Sequence, residues 1–284
     1  MEIKLCAFAD EASVDFAEQI KVLQEENIPY IELRGLDGKN IADLTEAEAE
    51  HYKKMLDDGG IAVWSIGSPL GKIRMDDDFD AHLLKAENLF KTARILGTDK
   101  IRVFSFYTEQ KEKDETEIYV RMERMNKLAK KYGMVLYHEN EKEIYGDVAG
   151  RCDKLLRAVP DLKCVFDPAN FVQCGENVAV ALKLLEGRID YYHIKDALDD
   201  GTVVPAGEGK GCLRSMIAGI KKDTVLTVEP HLAVFDGYAS LDHTELKNKY
   251  VFESARAAFS AAVEALRNLL TENGYREEGR QWIK

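Results

Sequence analysis

Val135-Leu136-Tyr137-His138-Glu139-Asn140 is a short β-prone run whose apolar character stops at an imidazole and a carboxylate. Three later stretches share this design: Cys164-Val165-Phe166-Asp167-Pro168, Tyr191-Tyr192-His193-Ile194-Lys195-Asp196 and Leu226-Thr227-Val228-Glu229-Pro230-His231. The gaps separating Glu139, Asp167, His193 and Glu229 are 28, 26 and 36 residues. Each gap has room for one strand and one return helix, so the spacing predicts parallel strands that deliver four ionisable side chains to one end of a sheet.

The same alternation runs outward from this stretch. Strands are predicted over Ile3 to Ala9, Ile28 to Leu33, Ile61 to Ile66 and Lys100 to Phe106, then at Leu162 to Phe166, Ile189 to Ile194 and Val225 to Val228. Helical spacing of apolar residues fills the intervals, as in Leu83, Ala86, Phe90 and Ala93 before Gly97, and Thr45-Glu46-Ala47-Glu48 reads as a capping box. Asp114 with Glu117 reads as the opening of the helix that ends at Gly133. Eight strand-then-helix units in 284 residues specify an α/β fold, a single-domain (β/α)8 TIM barrel over 1–284, with a C-terminal helix and short tail from about residue 251. The competing doubly wound sheet carries a glycine-rich turn after its first strand, and Ala9-Asp10-Glu11-Ala12-Ser13 has no glycine.

Composition bounds the function. With 51 acidic against 39 basic residues, the net charge of −12 disfavours nucleic acid and anionic membrane as partners. Five scattered cysteines without a C-x-x-C pair point to reduced thiols rather than disulfides or zinc thiolates. The first residues lack a signal-peptide pattern and no run has the length of a spanning helix, so a cytoplasmic location is expected.

In a barrel the carboxyl ends of the strands converge on one mouth, which makes Glu139, Asp167, His193 and Glu229 neighbours. Three uncompensated carboxylates there would repel one another, whereas a divalent cation at their centre reverses the sign of the interaction. Such an oxygen-rich set suits Mn²⁺ or Mg²⁺ and tolerates Co²⁺ or Zn²⁺.

These residues resemble the xylose isomerase-like barrels, a family that contains sugar isomerases and epimerases, inosose dehydratases and endonuclease IV. The likeness rests on Phe166-Asp167-Pro168-Ala169-Asn170, His193-Ile194-Lys195-Asp196 and Gly207-Glu208-Gly209, and covers nearly the whole chain. It implies metal ligation by Glu139, Asp167, His193 and Glu229, and a metal-dependent isomerase acting on a small sugar or polyol. A metal that chelates adjacent hydroxyl and carbonyl oxygens acidifies the neighbouring C–H and favours an enediolate, with Glu139 and Glu229 exchanging the proton as acid and base. Some family epimerases have a histidine where this chain has Asn170, a departure that argues against close identity with them.

Secondary substrate-binding candidates are His138, Lys195, Asp196, Glu208, His231, Glu32 and Trp64. Strand alternation turns His138 away from Glu139, leaving it a supporting role. Glu32 with Arg34 reads either as a substrate contact or as an ion pair at the rim, and Trp64 either stacks on a sugar face or fills core. Gly207-x-Gly209-x-Gly211 reads as a flexible mouth loop rather than a phosphate cradle. Dehydration of a keto-sugar or inosose is the nearest alternative; a nuclease or a non-catalytic sugar-binding subunit is more remote. An exposed-looking Trp282 and the loop from Leu232 to Tyr250 suggest contact surface for a homo-oligomer.

Overall fold

The first strand, β1 (Glu2–Ala7), takes β2 (Tyr30–Leu33) on one side and the last barrel strand, β8 (Thr224–Val228), on the other, all parallel. Between them β3 (Ala62–Gly67), β4 (Lys100–Val103), β5 (Val135–Glu139), β6 (Lys163–Phe166) and β7 (Ile189–Ile194) pair in sequence order, so the sheet closes on itself. The computed structural model describes residues 1–233 and 250–284.

Helices α1 (Phe16–Glu25), α2 (Glu46–Gly59), α3 (Phe79–Leu96), α4 (Lys111–Lys131) and α5 (Ala149–Ala158) return the chain between the first strands. The short α6 (Pro168–Gln173) and α7 (Val178–Leu185) follow β6, α8 (Leu213–Ala218) follows β7, and α9 (Ala255–Glu272) closes the ring. The α2 capping box forms as its sequence requires, Thr45 and Glu48 satisfying each other's amides. The α4 start differs from expectation: the helix opens at Lys111, and Asp114 instead accepts a 2.5 Å hydrogen bond from the Thr108 hydroxyl. Among the described residues no helix is long and apolar enough to cross a membrane.

Strand alternation sorts the barrel interior into layers. Cys6, Tyr137, Val165, Tyr191 and Val225 form a buried layer, with Tyr30 and Trp64 packed against it. Two residues further along these strands stand Phe8, Glu139, Asp167, His193 and Thr227, so the polar layer rests on an apolar floor. The tail corrects one expectation. Strands β9 (Arg276–Glu278) and β10 (Gln281–Ile283) form a hairpin, and β10 pairs antiparallel with β1, setting Trp282 beside Ile3 and burying it to 5% exposure. Trp282 therefore seals the base of the barrel and offers no surface to a second subunit; most of the other proposed contact, the Leu232 to Tyr250 loop, lies outside the described residues.

Candidate metal centre

β5, β6, β7 and β8 deliver Glu139, Asp167, His193 and Glu229 to one buried point. One ligand atom from each lies within 4.8 Å of the others. His193 Nδ1 is 2.9 Å from Glu139 Oε1 and 3.0 Å from Glu229 Oε2, so the imidazole is flanked by the two glutamates. Its other nitrogen, Nε2, faces Glu32 Oε2 at 3.3 Å, which favours a proton on Nε2 and leaves Nδ1 for a cation. Glu32 is further held by Tyr191 Oη at 3.0 Å and Thr227 Oγ1 at 3.2 Å. It therefore orients His193 from below, while the Arg34 guanidinium goes to Asp10, Glu11 and Glu229.

Asn140 fixes the spacing of the first two ligands. Its side chain donates to Asp167 O at 2.8 Å and accepts from Asp167 N at 2.9 Å, tying the end of β5 to the end of β6. Asp167 in turn caps α6, its Oδ1 accepting from Asn170 N at 2.9 Å. Asn170 donates its amide to Asn140 O at 2.9 Å and lies 3.5 Å from Glu139 Oε1, so the asparagine at this position serves the ligand frame.

Three cations border the carboxylates. Lys195 is buried, with Nζ 2.8 Å from Asp167 Oδ2 and 3.5 Å from Glu229 Oε2, which brings it into the centre instead of the solvated loop. Arg102 donates to Glu139 Oε2 at 2.7 Å. Arg34 donates to Glu229 Oε1 at 3.1 Å, to both oxygens of Asp10 at 2.8 and 2.9 Å, and to Glu11 at 3.1 Å. Arg102 escaped the sequence reading because the fourth strand was drawn to Phe106; the observed end at Val103 places Arg102 in the last inward position. Glu11 escaped it too, although it stands just past β1.

These charges set the ionisation of the site. Burial works against a charged Glu139, but His193 and Arg102 outweigh it and hold the carboxyl down at about 2. Burial likewise opposes ionisation of Glu229, where Lys195 and His193 prevail and push it well below the usual carboxylate range. Burial lifts Asp167 to about 7, Lys195 opposing and the two glutamates adding to the rise. His193 and Lys195 both titrate well above their usual ranges, the surrounding carboxylates overcoming burial.

The four donors fit a hard divalent cation. Among the described residues, Asp167 Oδ2 and Glu229 Oε2 are buried and meet only the Lys195 ammonium and the His193 ring, and the donor set is three carboxylates and one imidazole.

Other sequence candidates fall elsewhere. His138 points behind the sheet, its Nε2 2.9 Å from Ser105 Oγ and its ring against Gly146; burial pushes it down to about 4, so it supports the loop and does not face the mouth. Trp64 packs edge-on against Tyr30 and Tyr191 in the lower barrel, below the polar layer. Asp196 accepts from the amides of Gly207, Gly209 and Gly211 at 2.8–2.9 Å, anchoring the glycine loop that was expected to be flexible. Glycine is required at 209, where a Cβ would stand 2.3 Å from Asp196 Oδ1. Glu208 is exposed on that loop and accepts from Tyr250 Oη. His231 lies nearer the centre: its Nε2 is 3.3 Å from Glu11 Oε1 and 3.7 Å from Glu229 Oε1, and its backbone amide donates to Glu11 Oε2 at 2.7 Å. Burial raises Glu11 to about 8.

The profile of the family described as xylose isomerase-like TIM barrel matches residues 20–273. The chain belongs to the xylose isomerase-like TIM-barrel family. Solved structures of similar fold include the probable 3-DHS dehydratase AsbF of Bacillus anthracis, 20% identical with a TM-score of 0.71, the match covering 94% of this chain and 99% of that one. A D-psicose 3-epimerase determined in the presence of D-fructose matches at 15% identity and a TM-score of 0.74, covering 95% and 99% of the two chains. IOLI protein with a binding zinc atom matches at 18% identity and 0.71, again covering 95% and 99%. At these identities the likeness speaks for the fold. A comparison with curated protein sequences finds no match.

Proposed function

We propose that this protein is a divalent-metal-dependent isomerase or epimerase that moves a proton on a small keto-sugar or polyol through an enediolate. The observation that carries the reading is the buried convergence of Glu139, Asp167, His193 and Glu229 at the strand ends of a closed barrel. The fold neighbours described as a sugar epimerase and as a zinc-binding protein agree with it. A bound Mn²⁺ or Mg²⁺ would supply Lewis acidity that lowers the pKa of a substrate C–H beside a carbonyl. Glu139 and Glu229 both reach His193 Nδ1 and are the proposed proton-transfer pair. Lys195 and His231 are placed to hydrogen-bond substrate oxygens, and the Tyr191 floor excludes water from below.

A dehydratase is the second reading, and Lys195 favours it. Its buried ammonium beside Asp167 and Glu229 is placed to hydrogen-bond a departing hydroxyl, and a fold neighbour is described as a probable dehydratase. Incubation of the Mn²⁺-loaded protein with ketoses and keto-inositols in deuterated water separates the two. Solvent deuterium in a sugar of unchanged formula identifies an isomerase or epimerase, and loss of water identifies a dehydratase. Stoichiometric absence of metal after growth with Mn²⁺ would remove the basis of both.

A further inference from the structure

Each carboxylate of the centre has one oxygen turned inward and the other already engaged, by three unrelated donors. Glu139 turns Oε1 toward His193 while Arg102 holds Oε2; Glu229 turns Oε2 inward while Arg34 holds Oε1; Asp167 turns Oδ2 inward while the α6 amide of Asn170 holds Oδ1. The two arginines share one support. The guanidinium of Arg34 lies 4.3 Å and that of Arg102 5.6 Å from the centre of the Phe8 ring, and that ring stands perpendicular to His193 at 5.2 Å. A second ring, Phe104, backs Arg102 at 4.4 Å. Gly67 makes this possible, because a Cβ there would come within 2.5 Å of the Phe8 ring and 3.2 Å of Arg102 Nη2.

We infer that Arg102 and Arg34 are positioning residues that keep Glu139 and Glu229 monodentate toward a divalent cation, so that four protein atoms bind it and two positions of a six-coordinate ion stay open. The inference rests on the proposed metal centre. A carboxylate released from its arginine would swing its second oxygen onto the ion, as unrestrained carboxylates do on hard cations, and fill a position that two substrate oxygens need.

Water-proton relaxation on the protein loaded with Mn²⁺ alone counts exchangeable waters on the ion without substrate or turnover. The wild-type protein is expected to show two. Arg102→Met should lower the relaxivity per bound Mn²⁺ by about half and tighten Mn²⁺ binding several-fold, because an oxygen replaces a water and a nearby positive charge is gone. A residue that merely supports the fold would weaken binding and leave the water count alone. Fewer than two waters in the wild-type protein, or an unchanged count in Arg102→Met, overturns the inference while leaving the metal centre in place. If Arg102→Met does not fold, Arg102→Lys must retain two waters, and the wild-type count decides on its own. Failure of the wild-type protein to bind Mn²⁺ overturns both this inference and the proposed function.

Discussion

Lys195→Met tests the centre through stability and needs no substrate. The ammonium, at 3% side-chain exposure, stands 2.8 Å from Asp167 Oδ2 and 3.5 Å from Glu229 Oε2, themselves 0% and 4% exposed. Methionine fills much of the same volume and removes the charge, leaving two buried carboxylates facing each other. Removing one partner of a buried pair costs about 3–5 kcal/mol. In chains approaching this size that is a fall in Tm of roughly 10 °C. The loss should be complete in EDTA. Under saturating Mn²⁺ an ion at this centre supplies the missing positive charge, and about half of the loss or more should be recovered. The assay is a thermal-unfolding cycle of four measurements: wild type and variant, each with EDTA and with Mn²⁺. Equal destabilisation in both conditions would refute the reasoning, because it would mean that no cation comes to lie between Asp167 and Glu229.

Two further predictions concern the frame around the site. His82 Nε2 accepts a 2.9 Å hydrogen bond from Gly71 N, so the ring must stay neutral there, and burial pushes it from 6.5 down to about 4. The unfolded chain then takes up this proton first, so the contribution is present above pH 6.5 and is lost as pH falls toward 4, by about 3 kcal/mol in all. Urea unfolding across that range should give a flatter profile for His82→Gln, and an unaltered slope would contradict the assignment. Trp282→Ala, which empties a site of 5% exposure at the barrel base, should cost about 3–5 kcal/mol with Mn²⁺ affinity kept. A loss below about 1 kcal/mol in chemical denaturation would show that the tail hairpin does not seal the barrel.

The fold was legible in the sequence because its signals are local. Apolar runs of strand length, helical spacing between them and the ionisable residues that end the later runs are properties of neighbours in the chain, and they suffice to specify a parallel barrel and which ends converge. Strand alternation alone turns His138 away from Glu139, and its side chain meets Ser105. What surrounds the four convergent residues was decided only by tertiary structure. Arg34 reaches Glu229 across 195 residues and Arg102 reaches Glu139 across 37, and neither distance has a local signature. Lys195 and Asp196 are adjacent and look alike as strand-end charges, yet alternation sends one to the carboxylates and the other to three glycine amides. Trp282 looked exposed because it lies near the end of the chain, and is buried because the hairpin folds back onto β1. Periodicity reports which face of an element is apolar, whereas the partner of a buried charge is chosen by closure of the barrel, which brings together residues that the chain keeps far apart.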